Sequence, residues 1–293
     1  MNVHLVDGTY ELFRHFFALP SHVTRDGREV AATRGVLGYV LSLIEGGATH
    51  IGVATDHVIE SFRNDMWAAY KTSQGVAPRL LDQFPLLEEG LAALGVAVWP
   101  MVELEADDGM AAAAAFAESV PEVERVYLCS PDKDLGQCVR GDRVVQRVDS
   151  RTGQIRDEAG VIERFGVPPA SIPDYLALVG DSSDGYPGLP GWGAKSTAVV
   201  LAHYGHIEDI PPSAAAWEVP LRGADKLAAV LQEKMELALL FRDLATVRTH
   251  DPALTDIEQL RWLGPTEAFV AFTQAVEQPS LLQRAQTLAR RGL

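Results

Sequence analysis

The sequence predicts an α/β fold, with a mostly parallel central sheet covered by helices on both faces and a helical region after it. Three observations carry this. Short apolar runs alternate with helically spaced segments over the first 155 residues, as strands and crossover helices of a parallel sheet do. Four of those runs lead into acidic residues, placing carboxylates at one sheet edge. Beyond about residue 155 the apolar spacing is helical throughout. The expected division is an α/β domain over 1–155 and a helical region over 156–293.

Val3 to Val6 reads as a buried strand ending in Asp7-Gly8. Leu12 to Leu19 is apolar with Arg14 and His15 interposed, and Asp26-Gly27 marks a turn. Thr33 to Ile44 has helical spacing and stops at Gly46-Gly47. Ile51 to Ala54 is the second strand, running into Thr55-Asp56. Ser61 to Arg79 interleaves Phe62, Arg63, Trp67, Tyr70, Lys71 and Arg79, a helical gateway near 61–80. Such interleaving suits an amphipathic helix on a core, or a surface where bases stack and phosphates are held. Leu80 to Leu94 reads as a helix and Val96 to Trp99 as a third strand leading to Glu105. Val126 to Cys129 is the fourth, ahead of Asp132-Lys133-Asp134, and Arg143 to Val148 the fifth, closed by turn residues Asp149 to Gly153. The helices expected next are Glu158 to Phe165, Ile172 to Val179, Lys195 to Tyr204 and Asp225 to Arg242, with helix and turn beyond Thr249.

Composition sets the bounds. At 293 residues and 47% hydrophobic content the chain can bury a sizeable core. No apolar run approaches the roughly 18 residues of a membrane span, and MNVHLVDG lacks a basic leader, so a cytoplasmic, non-membrane protein is expected. Cys129 and Cys138 are too few and too isolated for a disulfide framework or a thiolate metal site. The net charge of −15 lowers the expectation of nucleic-acid binding, and two divalent ions would bring it only to −11, so such contact must rest on local cations, metal and main-chain N–H groups.

The carboxylates bear the chemistry. Glu105-Ala106-Asp107-Asp108 opens an alanine-rich helix, and an acidic first turn is ordinarily a cap. Asp7, Asp56, Asp132, Asp134, Asp181 and Asp184 also follow apolar runs, giving nine acids that the topology can gather. Oxygen-only ligands of that number suit hard ions such as Mg²⁺ or Mn²⁺. In the segment from Gly188 to Ser196, glycines at 188, 191 and 193 allow tight turns before a helix N-terminus bearing Lys195 and Ser196, a helix-hairpin-helix form near 172–205 that grips a phosphate backbone.

Val6-Asp7-Gly8, Thr55-Asp56, Glu105-Ala106-Asp107-Asp108, Asp132-Lys133-Asp134-Leu135, Gly180-Asp181-Ser182-Ser183-Asp184 and the glycine hairpin occur in one order that resembles the bacterial and phage 5′-nuclease (flap endonuclease) family, over Asn2 to Arg248. The likeness is to a stand-alone form of the 5′→3′ exonuclease domain of DNA polymerase I, with no polymerase expected to follow. It implies a PIN/resolvase-like sheet, two metal ions held by the nine acids, and K⁺ at the glycine hairpin. Lys71 matches the lysine that reaches the scissile phosphate, Arg14 and Arg63 match basic positions facing the 5′ side of the substrate, and Lys71 and Arg63 are the catalytic residues this implies. Three places depart from the family pattern: Gln74 where an arginine is usual, Arg34 where an aromatic is, and Gly185 where an asparagine is. Arg34 then offers a charge contact to DNA in place of stacking, and Arg79 is the cation that can reach across in place of Gln74.

The expected function is a structure-specific 5′ nuclease acting on branched or 5′-flapped DNA, RNA primers and RNA–DNA hybrids included, as a monomer. A non-cleaving branched-DNA module would explain the hairpin but not the nine acids. A PIN-type ribonuclease would share the acidic edge but lack the hairpin.

Overall fold

The computed structural model describes residues 1–250 and 254–291. The chain forms two compact units, the first from Met1–Ile59, Ser73–Ser130 and Arg248–Leu293, the second from Glu60–Thr72 and Pro131–Val247. By compactness the strand of residues 144–147 groups with the second unit and the C-terminal segment with the first, a division different from a single boundary at 155. The reason is visible in the packing, because each unit closes its own apolar core around its own side chains.

In the first unit β1 (Asn2–Asp7), β2 (His50–Asp56), β3 (Ala97–Met101) and β4 (Arg125–Cys129) are parallel, in the order β3-β2-β1-β4. Every residue of β2 is buried, as an interior parallel strand requires. Val6, Ile51, Val53 and Cys129 enter a core shared with helices Ala31–Glu45 and Gln83–Leu94. Their alternates Leu5, Ala54 and Leu128 are buried too, and helix Ala106–Ser119 packs against all four strands. Both faces are therefore covered, as expected. The C-terminal helices Ala268–Ala275 and Pro279–Arg290 return to this core through Phe269, Phe272, Leu281, Ala285 and Leu288.

The helix expected from Leu80 to Leu94 is two, Pro78–Leu81 and Gln83–Leu94. Pro85 has no N–H to give the Leu81 carbonyl, so the ladder breaks there.

The second unit holds β5 (Val144–Arg147) and β6 (Ile155–Arg156), an antiparallel pair. Its reversal follows from the turn at Asp149, whose Oδ1 accepts the N–H groups of Arg151 and Thr152. Helices Glu158–Phe165, Ile172–Val179, Ala194–Tyr204, Ala224–Glu233 and Met235–Ala245 surround a core containing Tyr70, Leu176, Trp192, Leu201 and Phe241. The expected long helix over 225–242 is interrupted at Lys234, which leaves helical geometry at φ −119°. Between residues 61 and 77 the gateway is helical only at Arg63–Met66. Among the described residues no helix is long and apolar enough to cross a membrane.

Candidate metal centre

In the first unit the acids line the carboxyl edge of the sheet. Asp7 ends β1 and caps the helix Gly8–Ala18, its Oδ1 accepting from the Tyr10 N–H at 2.8 Å and its Oδ2 from the Ser130 hydroxyl at 2.9 Å. Asp56 ends β2, and its Oδ1 accepts the Ala106 N–H at 2.6 Å, which ties it to the first turn of the helix that Glu105 opens. Asp7, Asp56, Glu105 and Asp108 are all buried, and Asp107 is half-buried. Asp108 is the innermost: Oδ2 accepts the Glu105 N–H at 2.9 Å and Oδ1 the Arg248 N–H at 2.8 Å. Its carboxylate is a cap here, the ordinary meaning of an acidic first turn.

In the second unit a tighter set forms. Asp134, Asp181 and Asp184 each present a carboxylate oxygen, all within 4.8 Å of one another. Asp132, more exposed, stands beside them and accepts the Asp134 N–H at 2.9 Å. Burial first, and then the charges of Asp132, Asp184 and Asp181, hold the Asp134 carboxyl well above the usual range, against the pull of Lys71. Asp134 Oδ1 is buried with no hydrogen-bond partner. An orphaned oxygen in a cluster of oxygen-only donors fits a hard divalent cation, which would satisfy it and relieve the repulsion.

Two lysines serve this cluster. Lys71 Nζ is 3.3 Å from Asp184 Oδ1, and its main-chain N–H donates to the Asp184 carbonyl at 3.0 Å. Lys133 Nζ is 2.6 Å from Asp181 Oδ2. Sequence reasoning missed Lys133 although it lies inside the Asp132-Lys133-Asp134 motif, since its partner is 48 residues away.

Gly185 explains its own departure from asparagine. Its φ is +85°, and a Cβ there would stand 2.1 Å from the Ala69 carbonyl oxygen. Trp67 Nε1 donates to the Gly185 carbonyl at 3.1 Å, so the loop carrying Asp181 and Asp184 is laid directly on the segment carrying Lys71.

The glycine segment runs as helix Ile172–Val179, a loop and helix Ala194–Tyr204. Gly188 and Gly191 have φ of +69° and +85°, Gly193 is extended at φ −129°, and Ser196 exchanges hydrogen bonds with Gly193 at 3.0 and 3.1 Å while Lys195 is exposed.

The remaining cations are placed variously. Arg79 and Gln74 are exposed. Arg14 is held by the buried Glu11 at 2.6 Å and lies over the Tyr39 ring. Arg34 donates to the Glu277 carbonyl at 2.7 Å and to Gln278 Oε1. Arg63 departs from expectation: it is 3% exposed, with Nε donating to the Leu244 carbonyl at 2.8 Å and Nη2 to that of Thr246 at 3.2 Å. Its guanidinium braces the C-terminal end of helix Met235–Ala245, a structural duty in the interior where a substrate-facing one was expected.

Fold and site together define an α/β protein with a carboxylate centre and a helix-hairpin-helix element. Residues 2–166 match the 5'-3' exonuclease N-terminal resolvase-like domain and residues 167–268 the 5'-3' exonuclease C-terminal SAM fold. The chain belongs to the 5'-3' exonuclease family. It is 35% identical to DNA polymerase I of Pseudomonas aeruginosa over 93% of its own length and 30% of that relative, and 36% identical to a 5'-3' exonuclease of Aquifex aeolicus over 71% of each. The chain thus spans about a third of the polymerase relatives it matches. In fold it is similar to the T5 5'-exonuclease with bound divalent metal ions (zinc), with a TM-score of 0.65, 19% identity and 99% of both chains covered. It is similar also to the catalytic core of Rad2 in complex with DNA substrate, with a TM-score of 0.63, 13% identity and 97% and 90% covered.

Proposed function

We propose that the chain is a divalent-metal-dependent 5′ nuclease that hydrolyses phosphodiester bonds at the 5′ flaps or 5′ ends of branched and duplex DNA, RNA primers included. The observation that carries this reading is the Asp134–Asp181–Asp184 cluster with its orphaned buried oxygen, in a chain of the 5'-3' exonuclease family. Its oxygen donors suit Mg²⁺ or Mn²⁺. Asp134, Asp181 and Asp184, with Asp132 beside them, would hold one ion. Asp7, Asp56 and Glu105, supported by Asp107 and Asp108, would hold a second. Such ions, when bound, supply the Lewis acidity that activates water and stabilises a leaving oxygen.

The chain's own residues do the rest. Lys71, its ammonium steadied by Asp184, meets the negative charge that develops on the transferring phosphoryl oxygens. Gly188, Gly191 and Gly193 bring main-chain N–H groups to the DNA backbone, Lys195 and Ser196 add contacts at the helix N-terminus, and K⁺ binds at that hairpin. Arg14, Arg34 and Arg79 contact phosphates. The protein acts as a monomer in the cytoplasm.

The test is incubation of a 5′-flap duplex and of single-stranded RNA with and without Mn²⁺. The flap is cut only with metal, Asp134→Ala abolishes cutting, and Lys71→Ala lowers the single-turnover rate on the order of 10²-fold. A flap left intact in Mn²⁺, or cut equally in EDTA, overturns the reading.

A further inference from the structure

We infer that Tyr186 is a positioning residue of the Asp134–Asp181–Asp184 centre, its phenol O–H donating to the Asp134 carboxylate, directly or through one water, when a divalent cation is held there. The inference rests on the metal reading above. It starts from two orphaned atoms, one on a ligand of the cluster and one on a residue bonded to its neighbour ligand. Tyr186 is 1% exposed and its hydroxyl has no hydrogen-bond partner, and Asp134, 7% exposed, has an Oδ1 in the same condition. A buried polar atom left unsatisfied is costly and uncommon. Here one is a donor and the other an acceptor, and they do not bond each other.

The tyrosine is tied to the cluster through its main chain and its ring is packed. Tyr186 and Asp181 exchange two main-chain hydrogen bonds, at 2.8 and 3.0 Å, which fixes the tyrosine to a ligand of the cluster. Its ring packs on Phe241 with centroids 5.4 Å apart. Gly185 offers no side chain, and Ser182 and Ser183 are exposed, so the phenol is the buried side-chain donor of this loop. Groups that hydrogen-bond a ligating side chain orient it and raise its affinity, and their removal commonly weakens metal binding 10- to 100-fold.

Tyr186→Phe keeps the ring and deletes the hydroxyl. Mn²⁺ is titrated by calorimetry into the wild type, Tyr186→Phe and Asp134→Ala, the last identifying the binding step of this centre, and melting temperatures are taken in EDTA. The expected result is Mn²⁺ affinity at that step about 10-fold or more weaker in Tyr186→Phe, with an EDTA melting temperature equal to or above the wild type because an unsatisfied hydroxyl has gone. Equal affinities overturn the inference and leave the metal reading standing. A lower EDTA melting temperature with unchanged affinity also overturns it, since the hydroxyl would then serve packing alone. A wild type that binds no Mn²⁺ overturns the metal reading and this inference with it.

Discussion

The ammonium of Lys133 lies 2.6 Å from Oδ2 of Asp181, a carboxylate of the three-acid cluster. Burial alone would draw this lysine down, yet the hydrogen bond and charge of Asp181, with Asp134 and Asp132, hold it above its usual value. The chain thus supplies a counter-charge of its own. Lys133→Gln is expected to lower stability in EDTA by about 1 kcal/mol, the scale of a partly exposed pair. It should also tighten Mn²⁺ binding severalfold, because the site becomes more negative and an Asp181 oxygen loses a competitor. Denaturant melts in EDTA and a Mn²⁺ titration check both halves. Unchanged stability with weaker binding would show that Lys133 supports the ion and does not compete with it.

Gly185→Asn restores the residue usual in the family, and it is expected to harm this chain. Asparagine tolerates φ near +85°, but its Cβ would meet the Ala69 carbonyl oxygen at 2.1 Å. The predicted loss is roughly 2 kcal/mol or more, together with a slower single-turnover rate as the Lys71 segment is pushed from Asp184. A melt matching the wild type would mean that the two segments part without penalty.

Arg63→Ala is predicted to act on folding and not on chemistry. It leaves the Leu244 and Thr246 carbonyls without those donors in the interior, a loss of roughly 2–4 kcal/mol. The single-turnover rate of the folded fraction should match the wild type. A large rate defect at full folding would return Arg63 to the substrate.

His50 gives a pH dependence with a definite sign. Burial first, then Arg261, hold its imidazole below 6.5, with Glu258 opposing. Below that pH the unfolded chain takes up a proton that the folded chain refuses, so the stability tied to neutral His50 is complete above pH 6.5 and is lost as pH falls. Melts between about pH 7.5 and about pH 5 should show a shallower acid-side loss in His50→Gln. Part of the slope will remain, because His15 is lowered by burial in the same direction. An identical slope in both proteins would exclude His50.

The strand ends were legible because a parallel strand buried on both faces is a continuous apolar run, so Asp7 and Asp56 stand out where it stops. The glycine hairpin was legible because positive φ leaves a residue-type signature, as at Gly188 and Gly191. Arg63 was not, since an arginine among aromatics looks the same whether it faces solvent or two carbonyls of a distant segment. Lys133 and Tyr186 escaped for a related reason, their significance lying in charges and orphaned atoms brought together by tertiary packing. The reassignment of Trp262, Phe269 and Leu281 to the first core was hidden because helical spacing declares that a face is buried but not against what.

The division of the chain into units carries a consequence for its synthesis. The polypeptide changes unit after Ile59, Thr72, Ser130 and Val247. A ribosome delivers residues in order, and domains fold as their last necessary segment emerges. The unit begun second has all its residues by Val247, whereas the one that opens with β1 still lacks Leu281, Ala285 and Leu288 of its core. The nascent chain therefore holds helices Ala31–Glu45 and Gln83–Leu94, Leu37 and Leu91 among their core residues, without their final apolar cover until the C-terminal helices arrive, and the part of the molecule made first is the part that closes last.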